Sequence, residues 1–311
     1  MTQQRSMAVV GAGVVGQVYA GRLAEAGHRV HLIARGATLT DLTREGVRLH
    51  RDGRTSTPDV DIVADPADLP GEVDVAYLAV RADQVESALP LLERVPARVV
   101  VTLVNLAGEA RPVADRLGRE RTILGFSGVG GTRGPDGVTY HEVKQQPTTI
   151  GRAGGREQAV VADLRGAGFT VDTVDDPVAW LATHAVFIAG IGAAILRSGD
   201  STTLGRDRAA TSQMVLAVRD GFQALSRLGT PVIPTPLKVI FTQVPRLISV
   251  PYWQRQLRGE LGTLALEPHV LSTRDTEFRM LAEAARELTG WSPILDRHLA
   301  SAGFSASLVA A

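Results

Sequence analysis

The sequence predicts an α/β protein in which a doubly wound, mainly parallel sheet is followed by an all-helical C-terminal domain. Three observations predict it. A Gly-x-Gly-x-x-Gly turn, Gly11-Ala12-Gly13-Val14-Val15-Gly16, separates a strand-like apolar run from a helix-like one near the N-terminus. From Met7 to about Asp176, short Val- and Ile-rich runs alternate with amphipathic stretches, as parallel βα units do. Beyond Asp175-Asp176-Pro177 the strand signal fades and apolar residues recur at helical spacing. The expected domains are residues 1–176 and 177–311.

The first unit reads as strand Met7–Val10, turn, helix, and a second strand through His31-Leu32-Ile33-Ala34 ending on Arg35. This is the arrangement of a Rossmann-type dinucleotide site. Gly11 permits the tight turn, Gly13 lets backbone approach a pyrophosphate, and Gly16 lets helix pack on strand. The pyrophosphate would meet the free N–H groups and positive dipole end of the helix. Further along, Thr38–Arg44 and Gln84–Leu92 read as helices. Val47–His50, Val60–Val63, Val73–Val80, Arg98–Val104 and Ile123–Phe126 read as strands, with a turn at Asp52-Gly53. Val138–Val143 with Thr148–Ile150 suggests a hairpin, and Val160–Arg165, Gly168 and Thr170–Val174 a closing helix, cap and strand. In the second domain Val178–Arg197, Ala209–Arg227, Pro236–Ile248 and Arg274–Leu288 read as helices, with Pro251 in a connection.

Composition narrows the partners. Of 311 residues, 21% are charged and 44% hydrophobic, and Lys+Arg and Asp+Glu both number 33. Such balance gives no steering towards nucleic acid or an anionic membrane. With no cysteine, disulfides, thiolate metal sites and a cysteine nucleophile are excluded. No His/Asp/Glu set has metal-ligand spacing, and there is no Gly-x-Ser-x-Gly elbow. The polar opening Met1-Thr2-Gln3-Gln4-Arg5-Ser6 and apolar runs shorter than the ~18–20 residues of a membrane span lead to the expectation of a cytoplasmic protein.

The second strand selects the cofactor. A carboxylate there would accept the ribose 2′-OH of NAD, whereas arginine accommodates the 2′-phosphate of NADP. Arg35 is followed by Gly36, with no carboxylate before Asp41. The planar guanidinium suits phosphate, so NADP(H) is the expected cofactor.

These residues resemble the ketopantoate reductase family. The glycine turn with Ala34-Arg35-Gly36-Ala37 looks like that family's nucleotide fingerprint. Leu78-Ala79-Val80-Arg81-Ala82 stands where the family has a strand ending on Val-Lys, and Val104-Asn105-Leu106-Ala107-Gly108-Glu109 resembles its Gln-Asn-Gly loop. Gly125–Gly137 and Ala179-Trp180-Leu181 also match, and the resemblance fades after about Leu196. It implies NADPH-dependent reduction of a carbonyl beside a carboxylate, with a small-molecule substrate and cofactor in a cleft between the domains. It implies that Val80, Arg81 and Asn105 lie along the cofactor, with Asn105 at the nicotinamide. It also implies a helical domain of the kind that supports homodimers.

One stripe departs from the family. Its proton-donating lysine would fall at Ala182, and its asparagines at Val186 and Gly190. These share one helical stripe, so the sequence suggests a roomier, more apolar wall and a substrate other than ketopantoate. The family's substrate-binding glutamate falls on Thr273, Glu260 or Glu267 depending on the register.

Four polar residues remain for chemistry: Arg81, Asn105, His184 and His269. Imidazole titrates near neutrality, so His184 and His269 are the candidate acids. His184 lies about 200° around the helix from Ala182, beside Trp180 and Ile188, where a packing role is the alternative. The expected activity is NADPH-dependent reduction of a carbonyl or imine. Two alternatives stay open: a non-redox enzyme on the same scaffold, such as a cyclase, and a binding protein that senses NADPH.

Overall fold

The computed structural model describes residues 4–305. The outer ends of the expected domains, residues 1–3 and 306–311, lie outside them. The chain forms two compact units. One comprises the residues up to Val104 with Arg111–Pro177, and the other Asn105–Ala110 with the residues from Val178 onward.

The first unit runs β1 (Ser6–Val10), α1 (Val14–Glu25), β2 (Arg29–Ile33), α2 (Gly36–Glu45), β3 (Leu49–Arg51), β4 (Arg54–Ser56), β5 (Asp61–Val63), β6 (Val73–Leu78), α3 (Val85–Glu93) and β7 (Ala97–Thr102). It continues through α4 (Ala110–Leu117), β8 (Thr122–Ile123), β9 (Gly125–Phe126), β10 (Val129–Gly134), β11 (Gly137–Glu142), β12 (Thr148–Gly151), α5 (Glu157–Gly166) and β13 (Val171–Val174). Six strands in the order β5-β2-β1-β6-β7-β8 form a parallel sheet. Central strands of such a sheet are covered on both faces, which is why their sequences are continuous apolar runs. Met7, Ala8, Val9 and Val10 of β1 are essentially inaccessible, as are Val75, Ala76, Tyr77 and Leu78 of β6. Each fully buried Val or Leu contributes about 1.5–3 kcal/mol.

The end of the first unit pairs differently from the sequence expectation. Val138–Val143 does not form a hairpin with Thr148–Ile150. β11 pairs antiparallel with β10 across the Pro135-Asp136 turn, and in parallel with β3. β12 pairs instead with β13 and β9. A two-residue turn between Gly134 and Gly137 closes a hairpin more readily than the longer Lys144–Pro147 connection. The stretch Ile123–Phe126 divides at Leu124, so β8 and β9 belong to different sheets. Tyr19 of α1 ties this region together. Its ring stacks on Phe169 at 4.4 Å, its oxygen lies 2.5 Å from Thr148 Oγ1, and it accepts from the Gly128 N–H at 3.2 Å.

The second unit is helical: α6 (Pro177–Ser198), α7 (Ser201–Arg206), α8 (Arg208–Arg227), α9 (Thr235–Thr242), α10 (Arg246–Arg258), a π-helical turn Leu261–Leu266, α11 (Glu267–Ser272), α12 (Glu277–Thr289) and α13 (Pro293–Ser301). No strand occurs in it among the described residues. The stretch Pro236–Ile248 is two helices rather than one, because Pro245 lacks an N–H and restricts Val244 before it. Pro251, expected in a connection, lies inside α10 on its exposed side, beside solvent-facing Leu247 and Ile248.

α6 is the core of this unit. At 22 residues it is long and apolar enough to cross a membrane by length and composition, contrary to the shorter runs read from the sequence. A helix that is apolar all round is also what a buried core helix requires, and 94% of its apolar window is covered by the protein. Small residues let neighbours approach: Gly192 leaves the space that the Phe278 ring fills, and a Cβ on Gly190 would lie 2.5 Å from Val218 Cγ2.

Candidate functional site

The glycine turn is built as its spacing requires. Gly11 has φ +111°, a left-handed conformation that favours glycine, and a Cβ there would lie 2.7 Å from both the Ala79 carbonyl oxygen and Val80 Cγ1. A Cβ on Gly16 would overlap the Gly11 carbonyl. Around Gly13, by contrast, nothing lies within 4 Å of where a Cβ would be. The turn is therefore closed at its first and third glycines and open at its second. Gly13 is the N-cap of α1, no side chain caps that end, and Gln17 Nε2 donates instead to the Ala12 carbonyl at 2.8 Å. The first turn of α1 thus begins at an open glycine, with the positive end of the helix dipole behind it. The residues fit a dinucleotide pyrophosphate.

At the end of β2, Arg35 is exposed and forms the N-cap of α2, again without a side-chain cap. Val80 packs against Gly11 at the end of β6. Arg81 follows and is half exposed, with both guanidinium contacts to Asp83 at 3.1 Å. That pairing would have to be exchanged for Arg81 to reach a ligand.

Asn105 opens the short segment that belongs with the helical unit. The segment packs on α12, with Gly108 facing Leu288. Asn105 is buried, its Oδ1 accepts from the Ala107 N–H at 3.1 Å, and its Nδ2 has no partner among the described residues. Ala107 carries a φ of +46°, which a residue with a Cβ rarely adopts. A buried, unspent donor beside a strained backbone is a feature of binding sites rather than of packing alone.

The helical stripe reads differently from the sequence expectation. Ala182, Val186 and Gly190 are buried, but they make no roomier wall. A Cβ on Gly221 of α8 would lie 2.5 Å from Val186 Cγ1, and Gly190 faces Val218 of the same helix. The space beside Val186 and Gly190 is filled by α8.

His184 is a packing residue. Its ring stacks on Trp180 at 5.0 Å and faces Phe187 at 6.2 Å. Burial, with a smaller push from His269, lowers its pKa to about 3, so the imidazole is neutral near neutrality and cannot supply a proton. His269 keeps access to solvent, with Nε2 3.7 Å from the carboxylate of Glu277. Sequence reasoning missed Glu277, because Asp275-Thr276-Glu277 reads as an ordinary helix start. The three positions considered for a substrate glutamate are used otherwise or exposed. Glu267 accepts from the Ser201 N–H and hydroxyl at 2.9 and 2.6 Å, and Thr273 donates to the His269 carbonyl at 2.7 Å. Glu260 is exposed ahead of the π-helical turn.

Residues 7–155 match the family model for ketopantoate reductase PanE/ApbA. The N-terminal unit is a ketopantoate reductase family domain. A 2-dehydropantoate 2-reductase of Halobacterium salinarum is 28% identical over 162 residues, which are 51% of this chain and 53% of that protein. The match thus spans about half the length of that relative. Solved structures extend the likeness of fold through the helical unit. D-mandelate dehydrogenase, in a ternary structure with NADH and anilino(oxo)acetate, aligns with a TM-score of 0.73 at 15% identity, over 96% of this chain and 97% of that one. A ketopantoate reductase of this family from Ralstonia eutropha JMP134 aligns at 0.71 and 20% identity, over 96% and 97%. A 2-dehydropantoate 2-reductase from Geobacter metallireducens GS-15 aligns at 0.71 and 18%, over 96% and 99%.

Proposed function

We propose that the protein is an NADPH-dependent oxidoreductase that reduces the carbonyl of a small 2-oxo acid. One observation carries it: in a ketopantoate reductase family domain, the open Gly13 turn stands before an uncapped helix, and Arg35 ends the next strand. When bound, a reduced nicotinamide supplies the hydride that adds to the carbonyl carbon. The α1 N–H groups hold the pyrophosphate. Arg35 takes the 2′-phosphate, a role no carboxylate could fill. The unspent Nδ2 of Asn105 donates to the nicotinamide carboxamide or to the substrate oxygen as charge develops there. The resulting alkoxide needs a proton. His184 stays neutral and arginine does not release one, which leaves His269, facing Glu277, as the candidate donor among the residues singled out in the sequence.

The resemblance would put the family's lysine at Ala182, and the proposal does not depend on a lysine there. A substrate bulkier than ketopantoate was motivated by an enlarged helical stripe, and α8 fills that stripe. Ketopantoate therefore belongs in the test beside other 2-oxo acids, phenylglyoxylate included. The test is a fluorescence titration with NADPH, followed by NADPH oxidation in the presence of each acid. Binding with turnover of at least one acid supports the proposal. Absence of NADPH binding overturns it, and binding without turnover favours the sensing alternative.

A further inference from the structure

The β10–β11 hairpin brings a second arginine to the start of α2. Arg133 Nη1 donates to the hydroxyl of Thr38 at 2.7 Å, across 95 positions of sequence. Thr38 sits in the first turn of α2, three residues after Arg35, which is the N-cap of that helix. Both arginines are exposed, and among the described residues neither has a carboxylate within ion-pair distance. The acids of α2 are committed elsewhere: Asp41 and Glu45 pair with Arg44, and Glu45 also with Arg48.

Arg133 therefore reaches the first turn of the helix that Arg35 opens, at the positive end of its dipole, where the N-cap offers no side-chain acceptor. Cations are disfavoured at that end of a helix, and anions are favoured. Of the nearby arginines, Arg44 and Arg48 both pair with Glu45, whereas Arg35 and Arg133 face no acid among the described residues. What sets this pair of arginines apart is its place in the fold. The end of the strand next to β1 is where the adenosine ribose of a dinucleotide lies in this fold.

We infer that Arg133 is a specificity-determining residue for the cofactor and would bind the 2′-phosphate together with Arg35. Thr38 holds the guanidinium in place and keeps its own hydroxyl hydrogen available to a phosphate oxygen. The ligand class is a phosphate monoester dianion on an adenosine ribose. The inference rests on the NADPH reading above and adds to it a residue from a distant hairpin that no nucleotide fingerprint contains.

The test is a set of dissociation constants for NADPH and for NADH, measured on the wild type, Arg35→Ala, Arg133→Ala and Arg133→Lys, with a thermal melt of each. Arg133 is exposed, so its variants are expected to melt as the wild type does. Loss of a charge-assisted contact should weaken NADPH binding by about tenfold or more in Arg133→Ala, leaving NADH binding within about twofold. Arg133→Lys should recover part of the loss, because it keeps the charge without the fork. If Arg35→Ala loses NADPH affinity and Arg133→Ala does not, the inference falls and the NADPH reading stands. Equal wild-type affinity for NADPH and NADH overturns both this inference and the cofactor preference, while leaving a dinucleotide enzyme. If the wild type binds neither cofactor, the functional proposal falls with it.

Discussion

The Asn105 side-chain oxygen accepts a hydrogen bond from the backbone N–H of Ala107 at 3.1 Å, and this bond holds Ala107 at a φ of +46°. The amide is thereby oriented with its Nδ2 unspent. Replacing Asn105 by Asp keeps the acceptor and removes the donor. We expect turnover in Asn105→Asp to fall by about a hundredfold, with NADPH affinity changed much less, since a donor aimed at developing charge acts mainly in the transition state. Steady-state kinetics alongside cofactor titration would check it, and an unchanged kcat would remove Asn105 from the chemistry.

The two outer glycines of the turn and the central one should separate stability from binding. Gly16→Ala forces a Cβ into the Gly11 carbonyl and should cost about 3 kcal/mol or more. Gly13→Ala meets nothing within 4 Å and should change stability by less than about 1 kcal/mol. It should nevertheless weaken NADPH binding by about tenfold or more, because the methyl occupies the approach to the pyrophosphate. Urea unfolding and fluorescence titration on the same two proteins would show whether the losses divide this way.

His184 should leave a signature in acid. Its folded pKa, about 3, lies below the ordinary 6.5, so between those values the unfolded chain binds a proton that the folded chain refuses. Stability from this group is fully present above about pH 6.5 and is lost as pH falls, by about 3 kcal/mol on reaching pH 4. In His184→Phe that part of the acid limb should vanish, leaving the contributions of His31 and His298, which burial also holds below their usual values. Parallel pH profiles of urea midpoints for the two proteins would rule the assignment out.

Restoring a lysine should fail. Ala182 is buried in the same apolar cluster as Ala185, Val186 and Ala107. Ala182→Lys places an ammonium there without a partner and should destabilise by several kcal/mol, with no gain in turnover of ketopantoate. A variant melting at the wild-type temperature would show instead that this position opens to water.

The parts legible in the sequence were those fixed by local chemistry. The turn at Gly11, Gly13 and Gly16 could be read because each glycine answers to a neighbour a few residues away. α6 could be read because a helix covered on every side must be apolar on every side. The hairpin was misread because Val138–Val143 suits either partner, and only the Pro135-Asp136 turn decides between them. The filling of the Ala182 stripe could not be read, since it depends on Val218 and Gly221 of another helix. Glu277 and Arg133 were invisible for the same reason. Each acquires its meaning from a residue that folding brings beside it, His269 in one case and Thr38 in the other.

The short segment Asn105–Ala110 sets a limit on how the molecule can be dissected. Because it leaves β7 and is counted among the helices, the backbone passes from one unit to the other at Val104, at Ala110 and again at Pro177. A fragment beginning at Val178 would be born with a hole where Ala107 inserts into the helical core. The helical half is no cassette: it is completed only by six residues synthesised long before it, in the middle of the other.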